Sequence, residues 1–252
     1  MTPPPYVDGH GLLKGKRVLV TAAAGTGIGF ATASRCVEEG ASVVVSDAHE
    51  RRCAEAAEKL GVTGIPCDVT VEEQVQALLA GAAASLDGLD VVVNNAGLGG
   101  TANVVDMTDE QWAKVLDVTL TGTFRCMRAA LRLMQPQNAG VIVNNASVLG
   151  WRAQMGQAHY AAAKAGVMAL TRCAAVEAAP FGVRINAVAP SLAMHPFLAK
   201  VTTDDLLDEL TSREAFGRAA EPWEVANVIV FLASDYSSYM TGEIVSVSSQ
   251  HP

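Results

Sequence analysis

Tyr160 and Lys164 stand four residues apart in the alanine-rich stretch "QAHYAAAKAG". In a helix that spacing projects both side chains from one face. An ammonium beside a phenol favours the phenolate and draws its pKa down toward a value useful for proton transfer. Ser147 lies thirteen residues before Tyr160, just after the run "GVIVNN", and its hydroxyl can bond the same substrate oxygen. The three groups suit acid/base work on one oxygen atom. The alternative is an ordinary Tyr/Lys pair on a helix surface.

A second chemical feature precedes them. In "VLVTAAAGTGIGFATA", Val18 to Ala33, glycines 25, 27 and 29 alternate. Phe30 and Ala31 stand where a Walker A loop needs Lys-Ser/Thr, and Phe30 stands where G-x-G-x-x-G needs its last glycine. The loop nevertheless follows an apolar run and opens a helix, so Gly25, Thr26, Gly27 and Ile28 can bring backbone N–H groups to a pyrophosphate. Asp47 ends the second apolar run, 18 residues after Gly29. A carboxylate there accepts bonds from the ribose hydroxyls of NAD and repels the extra phosphate of NADP, so NAD is the expected cofactor. The competing readings are a tight turn without ligand, Asp47 as a cap for the helix near Glu50, and a 2′-phosphate served by Arg51 and Arg52.

The elements that must position these residues are seven short β-branched runs: "RVLV", "SVVVS", "GIPC" from Gly64, "DVVVN", "GVIVNN", "VRINAV" and "EIVSV". Periodic, alanine-rich segments separate them. Near-continuous apolar strands alternating with helices predict an α/β fold, a single doubly wound Rossmann-type domain over residues 1–252. Its seven-stranded parallel sheet carries helices on both faces. Residues 1–12 read as an N-terminal arm and 191–220 as a substrate lid. In that lid Met194, Phe197, Leu198, Leu206 and Leu210 either roof an apolar substrate or seal their own core.

Composition narrows the class. Half of the 252 residues are apolar and 17% are charged, which supports a large core. A net charge of −8 argues against nucleic acid or an anionic membrane as partner and leaves a small-molecule substrate. Val18 to Ser34 is uncharged, but glycines and threonines break it and it is too short to span a bilayer. Cys36, Cys53, Cys67, Cys126 and Cys173 are scattered and odd in number, which fits reduced thiols, a cytoplasmic location and no metal site. The polar, proline-rich start "MTPPPYVDGHG" is no signal peptide.

Taken in order, these pieces resemble the short-chain dehydrogenases/reductases from about Leu13 to Val247. The matching pieces are the Thr-and-glycine loop, "CDVT", "NNAG", Ser147, the Y-x-x-x-K of Tyr160 and Lys164, and "RINAVAP". The resemblance implies NAD(P)-dependent alcohol/ketone chemistry, with Tyr160 as general acid/base, Ser147 orienting the carbonyl oxygen, and Lys164 holding the nicotinamide ribose. It implies Asp68 and Val69 near the adenine, and Asn95, Ala96 and Gly97 lining the cofactor. Pro190, Leu192 and His195 fall near the carboxamide, and Trp151, Arg152 and Met155 in the substrate pocket. A Trp beside an Arg suits an apolar ring bearing an anionic group, or else Arg152 is simply exposed. His159 points away from Tyr160 and reads as structural.

Four stretches depart from the family pattern. Ala22 replaces the first loop glycine, whose flexibility Gly25 is expected to supply, and Thr119 replaces an asparagine that supports a proton relay. "PSLAMH" puts Ser191 and His195 where glycine and threonine are usual, and "SVSSQHP" replaces a D-G-G ending. The family assembles as homotetramers, which would turn Cys126 and Met127 toward a partner subunit. "NNAGLGG", "NNASVLGWRAQ" and "VSVSSQHP" are similar to actinobacterial members linked to sterol ring breakdown. That likeness implies a cyclic alcohol or ketone, carried as a coenzyme A thioester. The alternatives are a catalytically weak dinucleotide sensor or scaffold and a 3-oxoacyl-thioester reductase.

Overall fold

The computed structural model describes residues 1–194 and 204–250. Seven strands form one parallel sheet: β1 (Arg17–Val20), β2 (Ser42–Val45), β3 (Thr63–Gly64), β4 (Val91–Asn94), β5 (Gly140–Asn145), β6 (Val183–Pro190) and β7 (Ile244–Val247). Their order across the sheet is β3-β2-β1-β4-β5-β6-β7. The helices are α1 (Ile28–Glu38), α2 (Glu50–Leu60), α3 (Glu72–Leu86), α4 (Asp109–Leu116), α5 (Gly122–Gln137), α6 (Ala158–Ala178), α7 (Asp204–Ser212) and α8 (Pro222–Ala233). No helix among the described residues is long and apolar enough to cross a membrane.

Burial on both faces explains why the strands read as unbroken apolar runs. Leu19, Val44, Val92, Ile142 and Ile185 face a core shared with α3, α5 and α6. Their neighbours Val18, Val20, Val43, Val45, Val93 and Val143 face the other core, closed by α1 and α8. Each such side chain, fully buried, stabilises the fold by about 1.5–3 kcal/mol. Local signals set the helix ends. Thr108 and Gln111 cap α4 reciprocally, Glu221 and Glu224 do the same for α8 around Pro222, and Gly61 closes α2 at φ 65°.

Two expectations change. The third strand is shorter and earlier than "GIPC", because Pro66 at the sheet edge has no N–H to give a ladder. Ile65 N and Cys67 N still donate to Val45 O and Asp47 O, so the chain continues alongside β2. Cys126 and Met127 are 1% and 2% exposed within this chain's own core and cannot face a partner. The outward face of α5 is marked instead by Phe124, which is exposed and stacked by Arg128.

The arm is tied down by charge. Arg35 on α1 and Glu39 at its C-cap, both buried, pair at 2.9 Å, and Glu39 Oε2 accepts from the backbone N–H groups of His10 and Leu12. Tyr6 packs edge-on against Trp223 of α8.

Candidate active site

The chain moves outward from β1 through β2 to β3, then returns to place β4 on the other side of β1. That reversal opens a crevice at the carboxyl ends of β1 and β4, the usual ligand position in such sheets. The glycine loop forms one wall. Thr21 follows β1 and pins the facing loop, its hydroxyl accepting from Asn95 N at 3.0 Å and Ala96 N at 3.2 Å. Ala22 takes φ 49° and Gly25 φ 96°. The left-handed turn therefore falls on the alanine itself as well as on Gly25, and the replacement is not relieved by its neighbour. At Gly29 a Cβ would collide with Ala22 O and Asn95 Nδ2, so only glycine lets α1 approach the sheet here. Gly27 caps α1 in extended conformation without a side-chain partner, which leaves the first-turn N–H groups of Ile28 and its followers open to an anion.

Asp47 follows β2. Its Oδ1 accepts from His49 N at 2.9 Å and stands 3.8 Å from Arg52. Burial raises its pKa, and Arg52 pulls the other way. Asp68 Oδ1 accepts from the N and Oγ1 of Thr70, which fixes the carboxylate after Cys67. Val69 is 7% exposed, with its side chain in the core against Gly122 and so not lining the crevice.

Two amide ladders cross the sheet where β4 and β5 end, with Asn94 opposite Asn144. On the α6 side Asn94 donates to Asn144 at 2.9 Å, and Asn144 to Thr171 at 2.9 Å. On the crevice side Asn145 Nδ2 donates to Asn95 Oδ1 at 2.8 Å, and Asn95 Nδ2 to Ala22 O at 3.1 Å. The Ala22 carbonyl thus orients both crevice amides. The ladder leaves Asn145 Oδ1 buried with no donor among the described residues. Sequence reasoning passed over Asn144 and Asn145; the doubled "NN" after two successive valine runs was the available signal.

Ser147 follows β5 in extended conformation, 8% exposed, and its Oγ accepts from Leu149 N at 3.2 Å. α6 then carries Tyr160 and Lys164 on one face. The Lys164 Nζ donates to Asn145 O at 2.5 Å and lies 5.5 Å from the centre of the Tyr160 ring. The structure thus brings Ser147, Tyr160 and Lys164 together, beside Gly97 and Gly99. It overturns the expected acidity. Burial pushes the Tyr160 phenol up to about 12, against a smaller downward pull from the Ser147 hydroxyl. Burial also brings Lys164 down to about 8. The ammonium lies over the ring and is bound elsewhere, so desolvation outweighs its attraction for a phenolate.

Thr119 sits fully buried in a π-helical turn, Asp117–Thr121. Its hydroxyl accepts from Leu98 N at 2.9 Å and donates to Leu98 O at 3.1 Å. With its only proton committed to Leu98, it tethers the loop after β4 and does not stand as a relay group. His159 is 2% exposed, its Nε2 beneath Gly100.

The substrate-side residues separate. Trp151 and Met155, 51% and 87% exposed, line an open groove of about 670 Å3. Its α6 wall is Ala158, Ala161, Ala162 and Ala165, so the groove lies beside the catalytic face and holds none of Ser147, Tyr160 and Lys164. Arg152 borders it too, but its guanidinium reaches Gln250. Pro190 ends β6, and the backbone of Leu192 is held by Glu214 and Ala220. His195, Phe197 and Leu198, and the Leu206 side chain, lie outside the described residues; Met194 and Leu210 are partly buried.

This crevice fits a nicotinamide dinucleotide: an uncapped helix start for its pyrophosphate, a carboxylate after β2 for a ribose, and a buried, orphaned acceptor on Asn145. A family model described as enoyl-(acyl carrier protein) reductase matches residues 22–249. A Mycobacterium tuberculosis protein named (5R,7aS)-5-hydroxy-7a-methyl-1-oxo-2,3,5,6,7,7a-hexahydro-1H-indene-carboxyl-CoA reductase is 63% identical over 99% of this chain and 98% of its own. The cis-4-hydroxycyclohexanecarboxylate dehydrogenase of Sinomonas cyclohexanicum is 42% identical over 92% and 95%. The crystal structure of a short chain dehydrogenase from Mycobacterium smegmatis superposes with a TM-score of 0.89 at 60% identity, covering 100% and 99% of the two chains. The chain belongs to the short-chain dehydrogenase/reductase family. It is an oxidoreductase of hydroxyl and ketone groups, and its family uses nicotinamide dinucleotides.

Proposed function

We propose that the protein interconverts a secondary alcohol and a ketone on an alicyclic substrate bearing a carboxyl group, free or as a coenzyme A thioester, with NAD(H). The meeting of Ser147, Tyr160 and Lys164 at the end of β5, beside the strand-order reversal, carries this reading. The two relatives named for ring substrates with carboxyl or carboxyl-CoA groups support the substrate class.

When bound, the dinucleotide supplies or takes the hydride. The chain's own residues handle the oxygen. In reduction, the Tyr160 phenol, protonated at neutral pH like any tyrosine and held so more firmly by desolvation, gives its proton to the carbonyl oxygen while the Ser147 hydroxyl donates to the same atom. In oxidation Tyr160 must first lose its proton, so the rate climbs with pH. Lys164, fixed on Asn145 O, holds positive charge below pH about 8 beside the Tyr160 ring and offers its remaining N–H groups to the ribose. Asp47 favours NAD, since a 2′-phosphate would meet its carboxylate. A homotetramer through the outward faces of α5 and α6 is part of the proposal, supported by exposed Phe124 and Val176. So is a cytoplasmic location, supported by five unpaired cysteines.

The test is NADH formation from cis-4-hydroxycyclohexanecarboxylate and from coenzyme A thioesters of cyclic hydroxy acids. Turnover of at least one ring alcohol with NAD, faster at higher pH, is expected. A protein that binds NAD but turns over none of them would be a sensor.

A further inference from the structure

Gln250 stands at the end of the described chain, yet its side chain joins three segments. Its Oε1 accepts from Arg152 Nη1 at 2.5 Å, and its Nε2 donates to Glu214 Oε1 at 3.0 Å. A guanidinium can only donate and a carboxylate can only accept, so the amide has one possible orientation. Glu214 is 4% exposed. It also accepts from Leu192 N at 3.3 Å and from Ser249 Oγ at 2.8 Å, while Ala215 N donates to Ser249 O at 2.8 Å. One buried carboxylate therefore anchors the segment after β6, the C-terminal tail and, through Gln250, the loop joining Ser147 to Tyr160.

The charges are arranged unusually. Glu214 is met by three uncharged donors, and no carboxylate among the described residues lies within ion-pair distance of Arg152. The neutral amide between them orients the guanidinium without cancelling it. Four of its five N–H donors have no hydrogen-bond partner among the described residues. Trp151, half exposed next to it in sequence, offers an apolar ring face. A fixed, uncancelled guanidinium is a receptor for an oxyanion, which it can grip with two parallel bonds.

We propose that Gln250 forms part of the substrate site, with Gln250 and Glu214 as positioning residues that hold Arg152 as the receptor for a substrate oxyanion. The ligand is a carboxylate or the phosphate of a carrier such as coenzyme A. Its identity as a substrate rests on the function proposed above; the anion receptor itself rests only on these contacts. Ser249 and Gln250, within the departure that follows β7, thereby acquire a role.

The test is calorimetric binding of cyclohexanecarboxylate and of coenzyme A to NADH-saturated protein, with KM and kcat for cis-4-hydroxycyclohexanecarboxylate measured alongside. Wild type binds at least one of the two anions, and which one identifies the oxyanion. Arg152→Met abolishes that binding. Gln250→Ala weakens it roughly tenfold, raising KM for the acid about as much with little change in kcat. The exchanged pair Gln250→Glu/Glu214→Gln keeps a hydrogen bond between the positions but puts a carboxylate on Arg152. Anion binding is then lost while NADH binding is retained. Binding of neither anion by wild type, or equal binding by wild type and Gln250→Ala, overturns the proposal. Anion binding without turnover of any ring alcohol leaves it standing and refutes the proposed function instead.

Discussion

The Lys164 ammonium donates to the backbone carbonyl of Asn145 at 2.5 Å and stands 5.5 Å from the centre of the Tyr160 ring. The cation is anchored to the end of β5 and is 3% exposed.

That burial makes Lys164 costly to stability. Its pKa falls from 10.5 to about 8, so below pH 8 the folded state carries a desolvated charge. Between pH 8 and 10.5 the unfolded chain binds the extra proton, and stability rises with pH until both states are neutral. Lys164→Met removes this cost and gains about 1–3 kcal/mol at pH 7, while activity falls at least a hundredfold. Denaturant unfolding of both proteins at pH 7 and pH 10 should show their difference shrinking at the higher pH. A methionine variant less stable than wild type at pH 7 would contradict the assignment.

Ala22 holds a left-handed conformation at φ 49° that an L-residue with a Cβ resists. Ala22→Gly should relieve that strain and, after glycine's own entropy loss, stabilise by about 0.5–1 kcal/mol. The thermal midpoint should rise about 2 °C. An unchanged or lower midpoint would mean that the alanine is not strained.

How far the sequence revealed this site follows from what spacing encodes. Strands β1, β4 and β5 are buried on both faces, so their valine runs announced themselves, and a four-residue step put Tyr160 and Lys164 on one side of α6. Spacing gives proximity but not dielectric, so the direction of the Tyr160 shift was missed. The amide ladder of Asn95 and Asn145 joins strands 50 residues apart, and nothing local to either residue shows the bond. Trp151 and Met155 lie in an aperiodic loop, whose outward turn no pattern of apolar residues could reveal. Gln250 and Glu214 meet through tertiary packing alone.

Thr119→Val separates tethering from proton relay. The valine keeps the shape but leaves Leu98 N and O without their partner, at a cost of about 1–3 kcal/mol. Because the loop after β4 borders Tyr160, KM for NAD should rise with kcat lowered only modestly, and the solvent isotope effect on kcat should match wild type. An enlarged isotope effect would restore Thr119 to a relay.

Asp47→Ala tests cofactor choice. With the carboxylate gone and Arg52 released from its 3.8 Å pairing, kcat/KM for NADP should gain on NAD by about tenfold or more. Wild-type preference for NADP, or a ratio untouched by the substitution, would overturn the assignment to NAD.

The central claim is that Tyr160 moves the proton at the substrate oxygen. Its most direct test is the pH dependence of NAD-linked oxidation of a ring alcohol by wild type and Tyr160→Phe, with the NAD affinity of each measured in parallel. The account predicts a rate that climbs with pH in wild type and a loss of about 10²–10⁴-fold in the variant, with NAD binding retained. Turnover by Tyr160→Phe at the wild-type rate, with the same pH profile, would contradict it.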